Sequence, residues 1–334
     1  MNILVTGVAG FIGYHLTNKL LSKNLTIHGI DSLSSYYDVD LKNSRLKNLK
    51  NTNFKFYHFN LKSKNKLFSF FNRNKIDLVI HLAAQAGVRY SISNPYTYIT
   101  NNISSFLNIL ECCRQFNVKH LIYASSSSVY GNQYSVPYSE NQKVDTPLSL
   151  YASTKKTNES MAYAYSSLYK IPTTGLRFFT VYGPYGRPDM ALFKFVKNIL
   201  NGLPIKVFNH GNMVRDFTYI DDIVEAIYKL IDKIPGEKKY NKIFKSDSLD
   251  LVPAKVFNLG NNNPVKLDYF ISVIEKNLKL NANKIFLPLQ LGDVTKTFAD
   301  IDEINKIIKF KPKTRIENGI PNFIEWYKKY YEYN

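Results

Sequence analysis

A glycine-rich turn near the N-terminus is the feature that most restricts how this chain can fold. The letters T-G-V-A-G-F-I-G occupy residues 6–13, directly after the apolar run at 3–5 and before a pattern of helical period. Gly7 permits a tight turn, Gly10 lets a pyrophosphate approach the backbone, and Gly13 lets helix and strand pack closely. The open N–H groups at the helix start favour an anion. The turn predicts a dinucleotide site, although an ordinary strand-to-helix turn can carry the same glycines.

An acidic residue at the end of the second apolar run indicates which dinucleotide fits. Asp31 lies 18 residues beyond Gly13 and directly follows the run at 25–30. A carboxylate at this position accepts hydrogen bonds from ribose hydroxyls and repels a 2′-phosphate. We therefore expect NAD rather than NADP as the cofactor.

The alternation of apolar and helical segments predicts the fold class. Strands are predicted at residues 3–5, 25–30, 54–56, 78–80, 120–123 and 173–178, with helices near 11–23, 39–49, 95–116 and from about 150. Such alternation is typical of a parallel sheet covered on both faces. We predict an α/β fold, with a Rossmann-like doubly wound parallel sheet as the NAD-binding domain over 1–176 and a smaller C-terminal α/β substrate lobe over 177–334, partly interleaved with it. In that lobe, where fewer strands and several helices are expected, the polar segment 235–250 is predicted to be a surface loop.

The composition indicates which binding partners and which cellular compartment to expect. The chain has 334 residues with 44 Lys and Arg against 26 Asp and Glu, which gives a formal net charge of +18. The lysines are scattered and form no single basic run, so we predict no nucleic-acid partner and a general attraction for anionic small molecules. Cys112 and Cys113 are adjacent, which disfavours a disulfide and does not match metal-ligand spacing, so we predict a reducing compartment and no metal site. Without a basic leader or an apolar run near the ~20 residues that span a bilayer, a cytoplasmic protein with no membrane contact is expected.

A tyrosine and a lysine four residues apart suggest acid–base chemistry. Tyr151 and Lys155 lie in Y-A-S-T-K, on one face of the helix predicted from about residue 150. A phenol with a pKa of about 10 needs roughly 4 kcal/mol of stabilisation of its charged form to act as a base near neutrality. One ammonium about 4 Å away supplies a comparable amount at an effective dielectric constant of about 20. We therefore expect Lys155, together with oxidised NAD, to lower the pKa of Tyr151, whereas an inert surface pair is the alternative.

Four further segments, together with the glycine spacing, resemble the extended short-chain dehydrogenase/reductase family. These segments are F-N-L at 59–61, H-L-A-A at 81–84, N-N-I at 101–103 and F-F-T at 178–180. The resemblance implies that NAD is contacted by Gly7, Gly10, Phe11, Ile12, Gly13, Asp31, Asn60, Leu61, Leu82, Ala83, Ala84, Asn101, Tyr151, Lys155 and Phe179. The family usually has Asp where this chain has Asn60, so a weaker adenine contact through the side-chain oxygen is expected.

Four consecutive serines precede V-Y-G in the segment A-S-S-S-S-V-Y-G at 124–131. By the family's spacing, the resemblance implies that Ser126 is the catalytic hydroxyl that shares the substrate proton with the tyrosine. Sugar 4,6-dehydratases carry Asp-Glu in the next two positions, whereas this chain has Ser127 and Ser128, so dehydration is not expected. A polar strand end satisfied by backbone is the alternative for the extra serines, and we assign Ser125 only to strand-end structure.

Longer stretches resemble the nucleotide-sugar epimerases, and most closely the UDP-glucuronate 4-epimerases. The resemblance runs from residue 1 to about 330, and the matching stretches lie at 81–91, 124–131, 176–195, 215–222 and 288–293. It implies that a UDP-sugar is bound by Gln85, Arg89, Ser126, Ser127, Ser128, Thr180, Arg187, Phe208, Arg215 and Gln290.

Within that set, the resemblance places Arg215 on the UDP diphosphate and Phe208 beside the uracil. A bidentate guanidinium suits a phosphate group. The alternative for Arg215 is a structural ion pair with one of three nearby carboxylates, which belong to Asp216, Asp221 and Asp222.

The predicted substrate carries a carboxylate that the enzyme must control. Oxidation of glucuronate at C4 gives a β-keto acid, which loses CO2 when its carboxylate bond lies parallel to the carbonyl π system. Hydroxyls of Ser127, Ser128 and Thr180 are expected to hold the carboxylate away from that orientation, together with the guanidinium of Arg187. The UDP-galactose 4-epimerases have Asn in place of Thr180 and Arg in place of Gln290, so this chain departs from them at both positions.

The resemblance therefore implies NAD-dependent, reversible C4 epimerisation of UDP-glucuronate to UDP-galacturonate through a 4-keto intermediate, for the supply of cell-surface polysaccharide precursors. NAD is expected to stay tightly bound and to be regenerated in each cycle. A homodimer is implied through the helices near 95–116 and 150–169. The alternatives are a 4-epimerase of another UDP-sugar, such as UDP-glucose or an N-acetylated sugar, and a non-catalytic NAD-binding scaffold.

Overall fold

A parallel sheet of seven strands lies at the centre of the computed structural model, which describes residues 1–133, 135–237 and 252–333. In chain order the described strands are β1 (Asn2–Thr6), β2 (Thr26–Asp31), β3 (Phe54–His58), β4 (Leu78–His81), β5 (His120–Ser126), β6 (Thr173–Phe178), β7 (Thr180–Tyr182), β8 (Ile205–Phe208), β9 (Val214–Tyr219), β10 (Ala254–Leu259), β11 (Pro264–Lys266) and β12 (Lys284–Leu287). The central sheet has the order β10-β6-β5-β4-β1-β2-β3, and its strand pairs are parallel. This confirms the predicted α/β class.

Helices cover the sheet. The described α-helices are α1 (Phe11–Leu21), α2 (Val39–Asn48), α3 (Lys64–Arg73), α4 (Val88–Ser93), α5 (Pro95–Tyr98), α6 (Ser105–Gln115), α7 (Leu150–Tyr169), α8 (Ala191–Leu200), α9 (Ile220–Leu230), α10 (Leu267–Leu278), α11 (Asp302–Ile308) and α12 (Ile316–Tyr330). A π-helical turn, Ile99–Ser104, joins α5 to α6. Within the described ranges, none of the helices combines the length and the apolar character that crossing a membrane requires.

Both faces of the sheet are buried, which explains why its strands read as continuous apolar runs. In β1, Ile3 and Val5 belong to one hydrophobic cluster and Leu4 to another, because successive side chains of a strand point to opposite faces. Side chains from α1, α8, α9, α10 and α12 fill the first cluster, and side chains from α3, α6 and α7 fill the second. The sheet is therefore doubly wound, as predicted.

The strand order fixes where a ligand can bind. β1 lies between β4 and β2, so successive crossovers leave β1 and β4 in opposite directions. In such sheets a crevice opens beyond the carboxyl ends of the strands at this point. The glycine-rich turn follows β1 directly and therefore lies at this crevice.

The C-terminal half is more regular than the sequence suggested. β7, β9 and β11 form a three-stranded sheet, and β8 pairs with β12. The expectation of fewer strands after residue 180 is wrong, because short strands of three to six residues recur there. One of them, β10, pairs with β6 and so extends the central sheet from within the second half of the chain. Most of the predicted surface loop at 235–250 lies outside the described residues, which resume at 252.

Candidate active site

One large cavity, of about 1270 Å³, lies at the carboxyl ends of the central strands. Its walls include the turn after β1, the ends of β2, β5 and β6, and the segment after β4. Every residue that the sequence placed at the cofactor or the substrate lines it, namely Gly7, Gly10, Phe11, Ile12, Gly13, Asp31, Asn60, Leu61, Leu82, Ala83, Ala84, Gln85, Arg89, Asn101, Ser126, Ser127, Ser128, Tyr151, Lys155, Phe179, Thr180, Arg187, Phe208, Arg215 and Gln290. The structure thus brings the whole predicted set together, while the role of each residue stays a prediction.

The glycine turn forms a cradle that side chains would fill. Gly7 has φ +72° and donates its N–H to Ile30 O at 2.8 Å. A Cβ atom on Gly13 would lie 2.1 Å from Gly7 O, and one on Gly10 would lie 2.9 Å from the same oxygen. α1 begins directly after Gly10 without a side-chain cap, so its first N–H groups are available to an anion. These residues fit the pyrophosphate of a dinucleotide.

Asp31 is fixed in place by the backbone around it. Its Oδ2 accepts a hydrogen bond from Ala9 N at 3.0 Å and its Oδ1 accepts one from Leu33 N at 2.8 Å. A carboxylate offers about four acceptor positions, so two remain for ribose hydroxyls. The charge of Asp31 also acts on Lys42, a buried residue that lines the same wall and that the sequence reasoning missed.

The predicted catalytic pair lies at the start of α7. Lys155 is 2% exposed, and its Nζ donates to Ala124 O of β5 at 2.8 Å. Burial lowers the pKa of Lys155 to about 8, while the Glu159 carboxylate acts in the opposite direction. Burial raises the pKa of Tyr151, and a hydrogen bond with Ser126 is the largest effect that lowers it. The expectation that Lys155, together with oxidised NAD, lowers the pKa of Tyr151 stays a prediction, and in the structure the ammonium is hydrogen-bonded to the strand carbonyl of Ala124.

Ser125, the serine without a predicted function, joins a buried ion pair. Its Oγ donates to Glu159 Oε1 at 2.6 Å. Arg177 of β6 binds both oxygens of that carboxylate at 2.9 Å and also donates to Tyr130 Oη at 3.0 Å. Because Glu159 lies one helical turn beyond Lys155, this network ties the helix that carries the catalytic pair to two strands of the central sheet.

The other serines and Thr180 form a polar surface at the ends of β5 and β6. Ser126 Oγ donates to Ser128 Oγ at 3.1 Å and accepts from Ser128 N at 3.2 Å. Ser127 and Thr180 line the same cavity. All four serines line the cavity, and Ser125 differs from the other three because its hydroxyl is hydrogen-bonded to the carboxylate of the buried ion pair.

Two arginines on the opposite side of the cavity share one carboxylate. Arg215 Nη2 lies 3.1 Å from Asp293 Oδ1, and Arg89 Nη2 lies 3.6 Å from Asp293 Oδ2. The Arg89 guanidinium also lies 4.7 Å above the ring centre of Phe208. Asp216 instead accepts hydrogen bonds from the backbone of residues 261, 262 and 299. The ion-pair partner of Arg215 among the described residues is thus Asp293, not one of the three carboxylates considered from the sequence.

Residues that the sequence reasoning missed hold the predicted cations in place. Asp293 pairs with Arg215, and Asp189 pairs with Arg187 at 2.5 Å. Both acids lie in stretches that resemble the nucleotide-sugar epimerases, at 288–293 and 176–195. Their position in these stretches was the sequence signal that could have identified them. Among the described residues, no cluster of three or more His, Cys, Asp or Glu is placed to hold a metal ion.

Comparison with known proteins identifies the family. Residues 3–242 match the sequence profile of the NAD dependent epimerase/dehydratase family. The chain belongs to this family. Within it, the chain is 53% identical to Protein CapI of Staphylococcus aureus, over 99% of this chain and 100% of that protein. It is 44% identical to the probable UDP-glucuronate 4-epimerase of Rhizobium meliloti, over 99% and 98% of the two chains.

The family's solved structures include a close match to this fold. The UDP-glucuronic acid 4-epimerase from Bacillus cereus, crystallised in complex with UDP-glucuronic acid and NAD, aligns with a TM-score of 0.89 at 33% identity. The alignment covers 99% of this chain and 100% of that one. The family resemblance expected from the motifs and the Rossmann-like fold are both confirmed.

Proposed function

We propose that this family member catalyses the NAD-dependent, reversible C4 epimerisation of UDP-glucuronate to UDP-galacturonate. The observation that carries the proposal is the composition of one cavity, in which a glycine cradle, the Ser126–Tyr151 pair and the guanidinium of Arg187 are brought together. A dinucleotide site beside an acid–base pair suits oxidation and reduction of an alcohol, and a half-buried cation in the cavity wall suits a substrate carboxylate. In this proposal residues 1–176 hold NAD and residues 177–334 contribute most contacts to the UDP-sugar.

The chain's own residues manage the proton. Tyr151 takes the proton of the sugar 4-hydroxyl, and Ser126, which lines the same cavity and acts to lower the pKa of the tyrosine, shares the proton and orients the sugar oxygen. When bound, NAD supplies a reversible acceptor for the hydrogen on C4 and, in its oxidised form, a positive charge in the cavity. Lys155 is held by Ala124 O, which fixes its ammonium at the base of the site. The 4-keto sugar then rotates within the cavity, so that C4 is reduced on its opposite face. The tyrosine returns the proton to the oxygen on C4.

The same cavity protects a fragile intermediate. A 4-keto uronate loses CO2 when the bond to its carboxylate aligns with the carbonyl π system. Ser127, Ser128 and Thr180 provide short hydroxyl donors, and Arg187 provides a charged planar donor. Together they hold the carboxylate out of alignment, so that the ketone is reduced before CO2 is lost.

A substrate comparison tests this proposal. The protein is incubated separately with UDP-glucuronate, UDP-glucose and UDP-N-acetylglucosamine, and the sugar nucleotides are separated by anion-exchange chromatography. We expect UDP-galacturonate to form from the first substrate, with far slower conversion of the two neutral sugars. Absence of UDP-galacturonate, or faster turnover of a neutral sugar, would reject the uronate assignment.

We also propose that the protein is a cytoplasmic homodimer. Support for a dimer comes from large apolar side chains that stand exposed on the helices named by the sequence, with Tyr96 85% and Leu168 71% exposed. Such side chains on adjacent helices favour a shared interface. The buried free thiols of Cys112 and Cys113 suit a reducing compartment. Sedimentation equilibrium gives the test of the dimer, and a monomer at micromolar concentration would reject it.

A further inference from the structure

Arg187, the cation proposed to bind the substrate carboxylate, already forms an ion pair with a carboxylate of the chain. Arg187 binds Asp189 through two parallel hydrogen bonds, from Nε to Oδ1 at 3.0 Å and from Nη2 to Oδ2 at 2.5 Å. Each side chain is 23% exposed, so the pair lies in the cavity wall rather than at the molecular surface. Although burial alone raises the pKa of Asp189, the charge of Arg187 holds this pKa below its usual value, so the carboxylate stays charged.

A tyrosine from the other half of the chain fixes the acid. Tyr36, in the loop between β2 and α2, donates its hydroxyl to Asp189 Oδ2 at 3.2 Å. Its ring packs against Tyr90 with 4.6 Å between ring centres. A Cβ atom on Gly87 would lie 3.2 Å from the Tyr36 hydroxyl, so the glycine leaves room for this contact. Burial, followed by the negative charge of Asp189, raises the pKa of Tyr36 to about 12, which keeps the hydroxyl protonated as a donor.

The pairing leaves part of the guanidinium available. A guanidinium has five N–H donors in a fixed plane, and Asp189 occupies those on the Nε side. Nη1 of Arg187 has no hydrogen-bond partner among the residues that the structure describes. Arg187 and Tyr151 line the same cavity. Burial raises the pKa of Tyr151, and the charge of Arg187 is one of the effects that oppose this rise.

We propose that Asp189, held by Tyr36, is a positioning residue that fixes the plane of the Arg187 guanidinium so that its Nη1 edge meets the substrate carboxylate. This inference rests on the proposed function. A fixed plane restricts rotation of the carboxylate about its bond to C5, which is the rotation that precedes loss of CO2. The negative charge of Asp189 also opposes any second approach of the substrate carboxylate from the Nε side.

The side reaction provides a direct readout. When restraint fails, the bond between C5 and the carboxylate of the 4-keto sugar breaks, and its electron pair forms the enolate of the C4 ketone. CO2 leaves, and water supplies a proton to C5, which gives a UDP-4-keto-pentose. The two electrons removed from C4 then remain on NADH, so one NADH accumulates for each CO2 released.

The Asp189→Asn variant separates positioning from simple stabilisation of a charge. The amide keeps one acceptor for the guanidinium but turns a donor toward Nη2, so the plane is no longer held. It also removes a negative charge beside the substrate carboxylate, which favours binding of a uronate. We therefore expect UDP-glucuronate to bind as tightly as before or several-fold more tightly, with UDP-glucose affinity unchanged. The ratio of UDP-4-keto-pentose and NADH to UDP-galacturonate is expected to rise about tenfold, the effect of losing a charged hydrogen bond.

Two further variants complete the experiment. Tyr36→Phe removes only the hydroxyl that holds Asp189 and is expected to raise the same ratio about two- to fivefold, a smaller effect because this single hydrogen bond at 3.2 Å acts on Arg187 only through Asp189. Asp145→Asn, on an exposed side chain paired at 3.9 Å with Lys156, is the control and should leave partition and binding unchanged.

The experiment distinguishes failure of the proposed role of Asp189 from failure of the proposed function. Failure of the unmodified protein to make UDP-galacturonate would reject the proposed function and the inference with it. If the unmodified protein makes UDP-galacturonate but both variants keep its product ratio, the inference alone is overturned. Equal weakening of UDP-glucuronate and UDP-glucose binding in Asp189→Asn would also overturn it, because that result indicates a purely structural ion pair.

Discussion

Replacing Lys155 with Met should stabilise the protein while abolishing its activity. Lys155 is buried, and its pKa falls from 10.5 to about 8. That difference corresponds to roughly 3 kcal/mol of unfavourable free energy for keeping the ammonium charged inside the fold. Loss of the hydrogen bond to Ala124 O costs about 1 kcal/mol. Glu159 keeps its other partners, Arg177 and Ser125, so no carboxylate is left unpaired. The expected net gain is about 2 kcal/mol at pH 7.

The lowered pKa of Lys155 also makes the free energy of unfolding depend on pH. Between pH 8 and 10.5 the folded protein binds fewer protons at Lys155 than the unfolded chain does, so the stability of the unmodified protein rises with pH in this window. Met has no such titration. The advantage of Lys155→Met should therefore shrink by about 2 kcal/mol between pH 7 and pH 9.5.

Urea unfolding of nucleotide-free protein at both pH values measures these quantities. Lys156→Met changes the neighbouring lysine, whose side chain is 34% exposed, and should stay within about 0.5 kcal/mol of the unmodified protein. The reasoning is refuted if Lys155→Met is less stable than the unmodified protein at pH 7, or if its advantage does not shrink as the pH rises.

Three further substitutions test separate parts of the site. Tyr151→Phe should lower kcat by at least about a hundredfold, since it removes the acid–base group, with the NAD content of the purified protein unchanged; retained turnover would contradict the mechanism. Ser125→Ala removes the hydroxyl donated to Glu159 and should lower the free energy of unfolding by about 1–3 kcal/mol, with little change in KM. Ser160→Ala, on the exposed face of the same helix, is its control. If both variants lower the free energy of unfolding equally, the stabilising role of the Ser125 hydroxyl is rejected. Arg215→Lys replaces a bidentate donor by a point charge and should raise the KM for UDP-glucuronate by about tenfold with a smaller change in kcat; an unchanged KM would remove Arg215 from the diphosphate site.

Local spacing predicted the parts of the site that lie close together in the chain. The glycines at 7, 10 and 13 meet around one carbonyl oxygen because they share one turn. Lys155 follows Tyr151 by one turn of α7, so their common helix was evident from the sequence. The parallel sheet was predicted from the alternation of apolar runs with helical segments, and both faces of the sheet are buried in the structure.

Contacts between distant residues could not be read in this way. Ser125, Glu159 and Arg177 come from a strand, a helix and a second strand, and only the packing of α7 on the sheet brings them together. Tyr36 and Asp189 lie 153 positions apart, in different halves of the chain. The environment of Lys155 likewise depends on Ala124 O. This is a backbone atom, so the residue type at position 124 gives no indication of the contact.

Short elements were missed for a related reason. α3 was absent from the predicted elements although it packs Leu67 and Phe71 into the core. Strands of three or four residues, such as β7 and β11, are too short to show a period and gain their stability from pairing with β9. β10 joins the central sheet from the second half of the chain, a placement that depends on tertiary structure and not on its own pattern.

The most direct test of the central claim follows the hydrogen on C4. UDP-glucuronate that carries deuterium at C4 is incubated with the protein in ordinary water, and the UDP-galacturonate formed is analysed by mass spectrometry and NMR. If one bound NAD both removes and returns the hydrogen on C4, as proposed, the product keeps its deuterium at C4. UDP-galacturonate with solvent hydrogen at C4, or no UDP-galacturonate at all, would contradict the account.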